Sequence, residues 1–459
     1  MSARPRSTVR HALWLILLAV VLAGALSIPR LAPGPPNLSA KIDEARENPF
    51  TALFQDYLRI DTSQPKGETY SAAVFLAMIL QEHGITAEIY ESAPGKANLV
   101  AVLQGGKGTE PPLILHHHMD TAELYRPDLW KFGPWDGTIW GPYLYGLGAI
   151  DMKSYGICFL KAFIKAHDEG WPLSRTVIFY ASCAEEADFD AGSRWMLLNH
   201  PEYFPPGAAY LSEGGMTEMT AGRMRYIGIE VGQKSVARFQ MRLTPGQKSE
   251  LDALLPSLVP AGPVLHPEVM RQLREIHPFR VAPYRACLLD VASCVDGRTY
   301  EEVRLPGYIK DLLFSRAYWV RLGDGTDRLV ISALWDEPIR DYADRAARML
   351  ADRGIAFEEF VTPVARMTPS DTPEFREIVS THQAMYPGIP VFPYLQGSSY
   401  SEASLFRERG LHCYGIVPVR YNIYDSLNMN LYDESIYLPY LLDGFELSEA
   451  LVRSLAVRN

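Results

Sequence analysis

Apolar positions in this chain recur with two different periods, and the change from one to the other assigns most of its elements. Residues 48–59 carry Phe50, Leu53, Phe54, Tyr57 and Leu58 at helical spacing, and a second helix is expected over 70–83, stopping before Gly84. Strands follow at 86–90, 97–103 and 113–117, then a helix at 155–169 and a strand at 176–180. After Gly228 the pattern changes. Residues 235–243 and 328–335 alternate as strands, followed by a helix at 341–353 and a strand at 356–361. The proline-punctuated stretch 251–313 carries no clear period. Beyond Thr368 helices and strands alternate again, with a helix at 372–386, a strand at 413–417 and a last helix at 438–456.

Strands that alternate with helices imply an α/β fold whose largely parallel twisted sheet is covered by helices. At 459 residues the chain is long for one core, so a second unit is expected. The formal charge of −10, with no basic stripe, argues against a nucleic-acid partner.

The amino terminus places Arg4, Arg6 and Arg10 before an uncharged run over 12–28, and Pro33-Gly34-Pro35-Pro36 follows. Residues 1–37 therefore read as a signal peptide or a membrane anchor with a proline-rich linker. Both readings send the body to the periplasm or the extracellular space. Of five cysteines, Cys287 and Cys294 are near enough in sequence to pair there; two reduced thiols are the alternative.

The chemistry concentrates at strand ends, where open α/β sheets gather functional groups. His118-Met119-Asp120 follows an apolar strand, Asp151 follows the glycine-rich stretch Gly146-Leu147-Gly148, and Glu185-Glu186 follows the strand at 176–180; Glu213 comes next. Imidazole nitrogen and carboxylate oxygen are the donors of a hydrolytic zinc site that leaves one position for water. A lone His-x-Asp or Glu-Glu is usually a solvated surface feature; their joint order after apolar strands reverses that reading. Strand alternation puts His117 on the face opposite His118, so His116 and His117 are expected to be packed or hydrogen-bonded rather than metal-bound.

The order of these motifs resembles the M20 metallopeptidase family of aminoacylases, carboxypeptidases and related amide hydrolases. The resemblance rests on His118-Met119-Asp120, on Gly146 to Lys153, on Glu185-Glu186 and on Ser212-Glu213-Gly214. It implies a zinc-peptidase-like catalytic domain over 38–230 and 359–459 and an inserted α+β lid over 231–358 that offers a homodimer contact. It also implies two metal ions sharing Asp151, with His118 and Glu213 on one and Glu186 on the other. Asp120 would accept the second imidazole proton of His118, and Glu185 would be the general base. The substrate would be a small peptide or N-acyl amino acid.

Three positions depart from the family pattern. Asn430, three residues before Asp433-Glu434, stands where the family has a histidine ligand, so the second metal position is expected to be weak or lost. Gln247 replaces a histidine that polarises the scissile carbonyl, and Ser404 replaces an arginine that clamps a substrate carboxylate. Two readings follow: a modified metal-dependent amide hydrolase, and a catalytically weakened relative retained for binding or scaffolding.

Overall fold

The computed structural model describes residues 38–106, 110–220, 222–280, 282–322, 325–397, 399–421 and 427–457. The expected export segment, residues 1–37, lies outside them. Among the described residues no helix is long and apolar enough to cross a membrane.

In chain order the strands are β1 (Ala87–Ala93), β2 (Lys96–Leu103), β3 (Leu113–His118), β4 (Thr138–Trp140), β5 (Tyr143–Tyr145), β6 (Val177–Ser182), β7 (Ala209–Ser212), β8 (Met216–Thr220) and β9 (Arg223–Gln233). There follow β10 (Ser235–Met241), β11 (Arg316–Arg321), β12 (Asp327–Ala333), β13 (Glu358–Val361), β14 (Val391–Gln396), β15 (His412–Gly415) and β16 (Ser435–Tyr437). The large sheet has the order β1-β2-β6-β3-β7-β15-β9-β14, with β8 on β9. Its centre, β6-β3-β7-β15, is parallel, and the β1–β2 hairpin extends it antiparallel.

β3 is buried along its whole length, because β6 and β7 flank it and both faces of the sheet are covered. One cover is the helix Lys153–Asp168 with the terminal helix Leu438–Ala456, which adds Leu441, Phe445 and Leu451 to the main core. The opposite face buries Ile114, Ile178, Tyr180, Tyr210 and Phe406 in a second cluster. A three-stranded sheet, β16-β5-β4, brings Ser435–Tyr437 against Tyr143–Tyr145 and so closes the carboxyl-terminal loop over the Asp151 turn.

The antiparallel sheet β11-β12-β10-β13 has its own core. Ala237, Phe239, Leu329 and Ile331 point to one face and meet Ile339, Ala343, Ala346 and Leu350 of the helix Ile339–Ala351. The expected lid boundaries need two corrections. β13 pairs with β10 and runs to Val361, so a boundary at 358 cuts through a strand of the lid sheet. The segment without a clear period is helical, over Pro267–Ile276, Ala282–Leu289, Val291–Val295 and Gly307–Lys310. Its Val269, Leu273, Ile276, Val291 and Ile309 join the main core and not the lid's. Cys287 and Cys294 form a disulfide across this segment, with Cα atoms 5.5 Å apart.

Candidate metal centre

His118 ends β3, and its Nδ1 lies 2.8 Å from the backbone carbonyl oxygen of Asp120. A carbonyl only accepts, so Nδ1 carries a proton there, and Nε2 is the ring nitrogen that faces the site. Nε2 stands 3.1 Å from Asp151 Oδ1. This corrects the expected role of Asp120, whose carboxylate is 3.8 Å from Nδ1. The carboxylate turns instead to the loop after β6 and accepts the Glu185 N–H at 3.1 Å and the Glu186 N–H at 3.0 Å. Gln64 Nε2 donates to it as well, at 2.9 Å. Asp120 therefore positions both acids at once.

Ligand atoms of His118, Asp151 and Glu213 lie within 4.8 Å of one another, and those of His118, Glu185 and Glu186 form a second such group. Asn430 reaches the same place: its Nδ2 donates to Asp151 Oδ2 at 2.9 Å. The Asp151 turn is itself held by Glu434, which accepts from the backbone N–H of Gly148 at 3.2 Å, Ile150 at 2.6 Å and Asp151 at 3.2 Å. Glu434 was legible in the sequence only as a register mark. Its backbone role shows once the loop is folded.

Two expected site residues are not brought to the cluster. Gln247 lies near the start of the helix Pro245–Asp252, where its amide oxygen accepts from Thr244 N and Thr244 Oγ1 in a capping box. Ser404 is buried and donates to Ser401 O at 3.0 Å. Its neighbour Glu402 faces the sheet end, 2.5 Å from His116 Nε2 and 2.5 Å from Ser182 Oγ. His116 also pairs with Ser212 Oγ at 2.8 Å, and His117 Nε2 with Tyr57 Oη at 3.0 Å. These partners leave neither histidine turned to the carboxylate cluster.

The electrostatics are those of a crowded anionic site. Burial, then the charge of Glu213, raises Glu185 well above the usual carboxylate range; burial and Asp151 do the same to Glu186. Glu213 is pushed up to about 8 by burial and by Asp151. Burial alone would depress His118, but the Asp151 hydrogen bond and the Glu185 and Glu213 charges outweigh it and raise it. Glu186 Oε1 and Asn430 Oδ1 are buried without a hydrogen-bond partner. Carboxylates held this close with orphaned oxygens suit a divalent cation, which neutralises them and takes up the free lone pairs.

An α/β sheet that gathers one imidazole and several carboxylates at its strand ends, beneath a separate antiparallel sheet, has the architecture of a metal-dependent peptidase. The chain belongs to peptidase family M20/M25/M40, whose profile it matches over residues 114–453. It is similar to aminoacylase-1 of Sus scrofa, 29% identical over 175 residues that make up 38% of this chain and 42% of that one. The alignment thus spans less than half the length of this curated relative. Among solved structures it resembles the M20 family metallo-carboxypeptidase Sso-CP2 from Sulfolobus solfataricus, with TM-score 0.67 and 14% identity over 88% of this chain and 99% of that one. Human carnosine dipeptidase 1 superposes with TM-score 0.63 and 16% identity over 92% of this chain and 99% of that one.

Proposed function

We propose that the protein is a metal-dependent hydrolase of amide bonds in small peptides or N-acyl amino acids, with zinc as its ion. The observation that carries this reading is the convergence of His118, Asp151 and Glu213 beside Glu185 and Glu186. His118, Asp151, Glu213 and Glu186 would hold the metal. A divalent zinc ion there supplies Lewis acidity to the scissile carbonyl and acidifies water. Glu185 takes a proton from the attacking water on its carboxylate and returns it to the leaving nitrogen. Asp120 keeps Glu185 and Glu186 on the same loop in fixed orientation, and Glu434 does so for Asp151. The Cys287–Cys294 disulfide supports an exported body, in a periplasm or outside the cell.

Glu185→Gln tests the assignment, because it keeps the shape and removes the base. Metal content should be unchanged while hydrolysis falls by about 10² or more. An unchanged rate would remove Glu185 from the mechanism.

One observation favours the alternative of a weakened relative kept for binding: Asn430 turns an amide donor, not an imidazole, toward Asp151. Metal analysis after dialysis separates the readings. Two equivalents support a two-metal hydrolase, one a modified centre, and none with any divalent ion a binding protein. A lid-mediated homodimer is the arrangement in which Gln247 reaches a site, that of the partner; a monomer in sedimentation removes it from the mechanism.

A further inference from the structure

His116 lies two residues before His118 on β3 and so shares its face of the sheet, one pleat further back from the metal centre. Both of its ring nitrogens are engaged. Nδ1 meets Ser212 Oγ at 2.8 Å, and Nε2 meets Ser182 Oγ at 3.0 Å and Glu402 Oε1 at 2.5 Å. The ring is wholly buried between Tyr180 and Tyr210, with centroids 5.1 and 5.0 Å away. Its three partners stand on three different segments, so the imidazole ties them together.

Two of those segments lead directly into the carboxylates of the centre. Ser182 ends β6 three residues before Glu185, and Ser212 ends β7 immediately before Glu213. The backbone ladder between β3 and β7 stops at Leu115 and Leu211, so Ser212 and Glu213 continue past it. The bond from His116 to Ser212 spans β3 to β7 beyond that point.

Glu402 fixes the imidazole in turn. Burial would raise its carboxyl, but His116 and the hydrogen bonds from His116 and Ser182 hold it below the usual carboxylate range. A carboxylate only accepts, so His116 Nε2 and Ser182 Oγ both donate to Oε1. The other oxygen, Oε2, has no hydrogen-bond partner among the described residues, and Oε1 alone anchors the group. The backbone at this point is held as well: Leu405 N–H donates to Glu402 O at 2.9 Å, and the preceding Ser401 accepts the Gln233 amide on Oγ at 3.0 Å.

From this we infer that His116 and Glu402 are positioning residues of the metal centre. Through Ser212 they fix Glu213, and through Ser182 they fix the loop that carries Glu185 and Glu186. Neither is a ligand. Clustered carboxylates repel one another before the cation arrives, and a tie beneath them removes the cost of drawing them together from the cost of binding it. The inference rests on the metal-hydrolase reading.

Zinc titration of the metal-free full chain tests it, with denaturant unfolding of the same proteins as the control for folding. Glu402→Leu removes the acceptor and should weaken zinc by about ten- to a hundred-fold. Glu402→Gln keeps an acceptor at the Oε1 position and loses the charge, so its zinc affinity should stay within about three-fold of the parent's. His116→Phe combined with Glu402→Gln fills the aromatic site and leaves no buried charge unpaired, and it should resemble Glu402→Leu; it decides the matter where Glu402→Leu does not fold. A merely structural strap would lower the unfolding midpoint and leave zinc affinity alone, and that result overturns the positioning role. So does Glu402→Gln losing as much affinity as Glu402→Leu, which would make the effect one of charge. Zinc affinities in the expected order without hydrolysis of N-acetyl amino acids sink the enzyme reading alone. No zinc bound by the parent sinks the metal centre, and the positioning role with it.

Discussion

Asn430 donates its side-chain amide to Asp151 Oδ2 across 2.9 Å, so the carboxylate oxygen expected to bridge two metals is engaged by a neutral donor. Asn430 also adopts φ 60°, a left-handed conformation that asparagine tolerates better than most residues, as does histidine to a lesser degree. The position thus combines a backbone demand with a neutral amide beside Asp151.

Asn430→His should therefore fold, and it should add a nitrogen donor where the amide now binds Asp151. Zinc titration of the metal-free proteins is expected to show the second equivalent bound about ten-fold more tightly in the variant. Identical stoichiometry and affinity would place residue 430 outside the metal's reach.

Asp120 makes a different prediction from that of a simple imidazole partner. Because its two oxygens receive the Glu185 and Glu186 amides, Asp120→Asn puts an N–H donor against one of those N–H groups and pushes the loop away. The proton on His118 Nδ1 stays with the Asp120 carbonyl, which the substitution leaves in place. Metal affinity and turnover should both fall, by about ten- to a hundred-fold. If turnover falls with no change in metal affinity, the loop is held by something else.

The sequence carried the parts of this fold that local periodicity encodes. The terminal helix Leu438–Ala456 and the helix Pro49–Leu58 lie where apolar spacing puts them. Pairing against the usual pattern was invisible. Pro393 makes Val391–Gln396 look like a loop, yet β14 is an edge strand, where a missing N–H is tolerated. Its free edge is met by Gln272, which accepts from Leu395 N at 2.7 Å and donates to Leu395 O at 3.2 Å from 123 residues away. The metal centre was legible as a list because its ligands follow strands. Its supports were not, since Glu434 and the Asp120 carboxylate act on backbone groups that only the folded loops present.

The disulfide predicts a labelling result and a stability result. Cys158, Cys183 and Cys413 are free and buried, so alkylation under denaturing, non-reducing conditions should give three adducts, and five after reduction. The bond closes a short loop with a sequence separation of 7, and Cys287→Ser should cost about 2 kcal/mol of stability. Five adducts without reductant would mean that both thiols are free in the isolated protein.

Lys234 gives the chain a pH dependence whose sign is fixed by burial. Its ammonium is almost wholly buried and donates to Phe314 O at 2.7 Å, and burial pushes its pKa down to about 7. The nearby charges of Asp311 and Glu337 raise it only part of the way back, and Arg316 opposes them. The unfolded lysine keeps its proton to about pH 10.4, so between about 7 and that value the unfolded chain binds more protons than the folded one. Stability attributable to Lys234 must therefore rise with pH through this window and be absent below it. Lys234→Met, of similar length and unable to charge, should be more stable than the parent at pH 7, and the gap should narrow by about 2 kcal/mol at pH 9. Denaturant unfolding of both proteins at the two pH values measures it. A gap that does not change with pH would mean that Lys234 has the same proton affinity folded and unfolded, and that its surroundings are wetter than its burial implies.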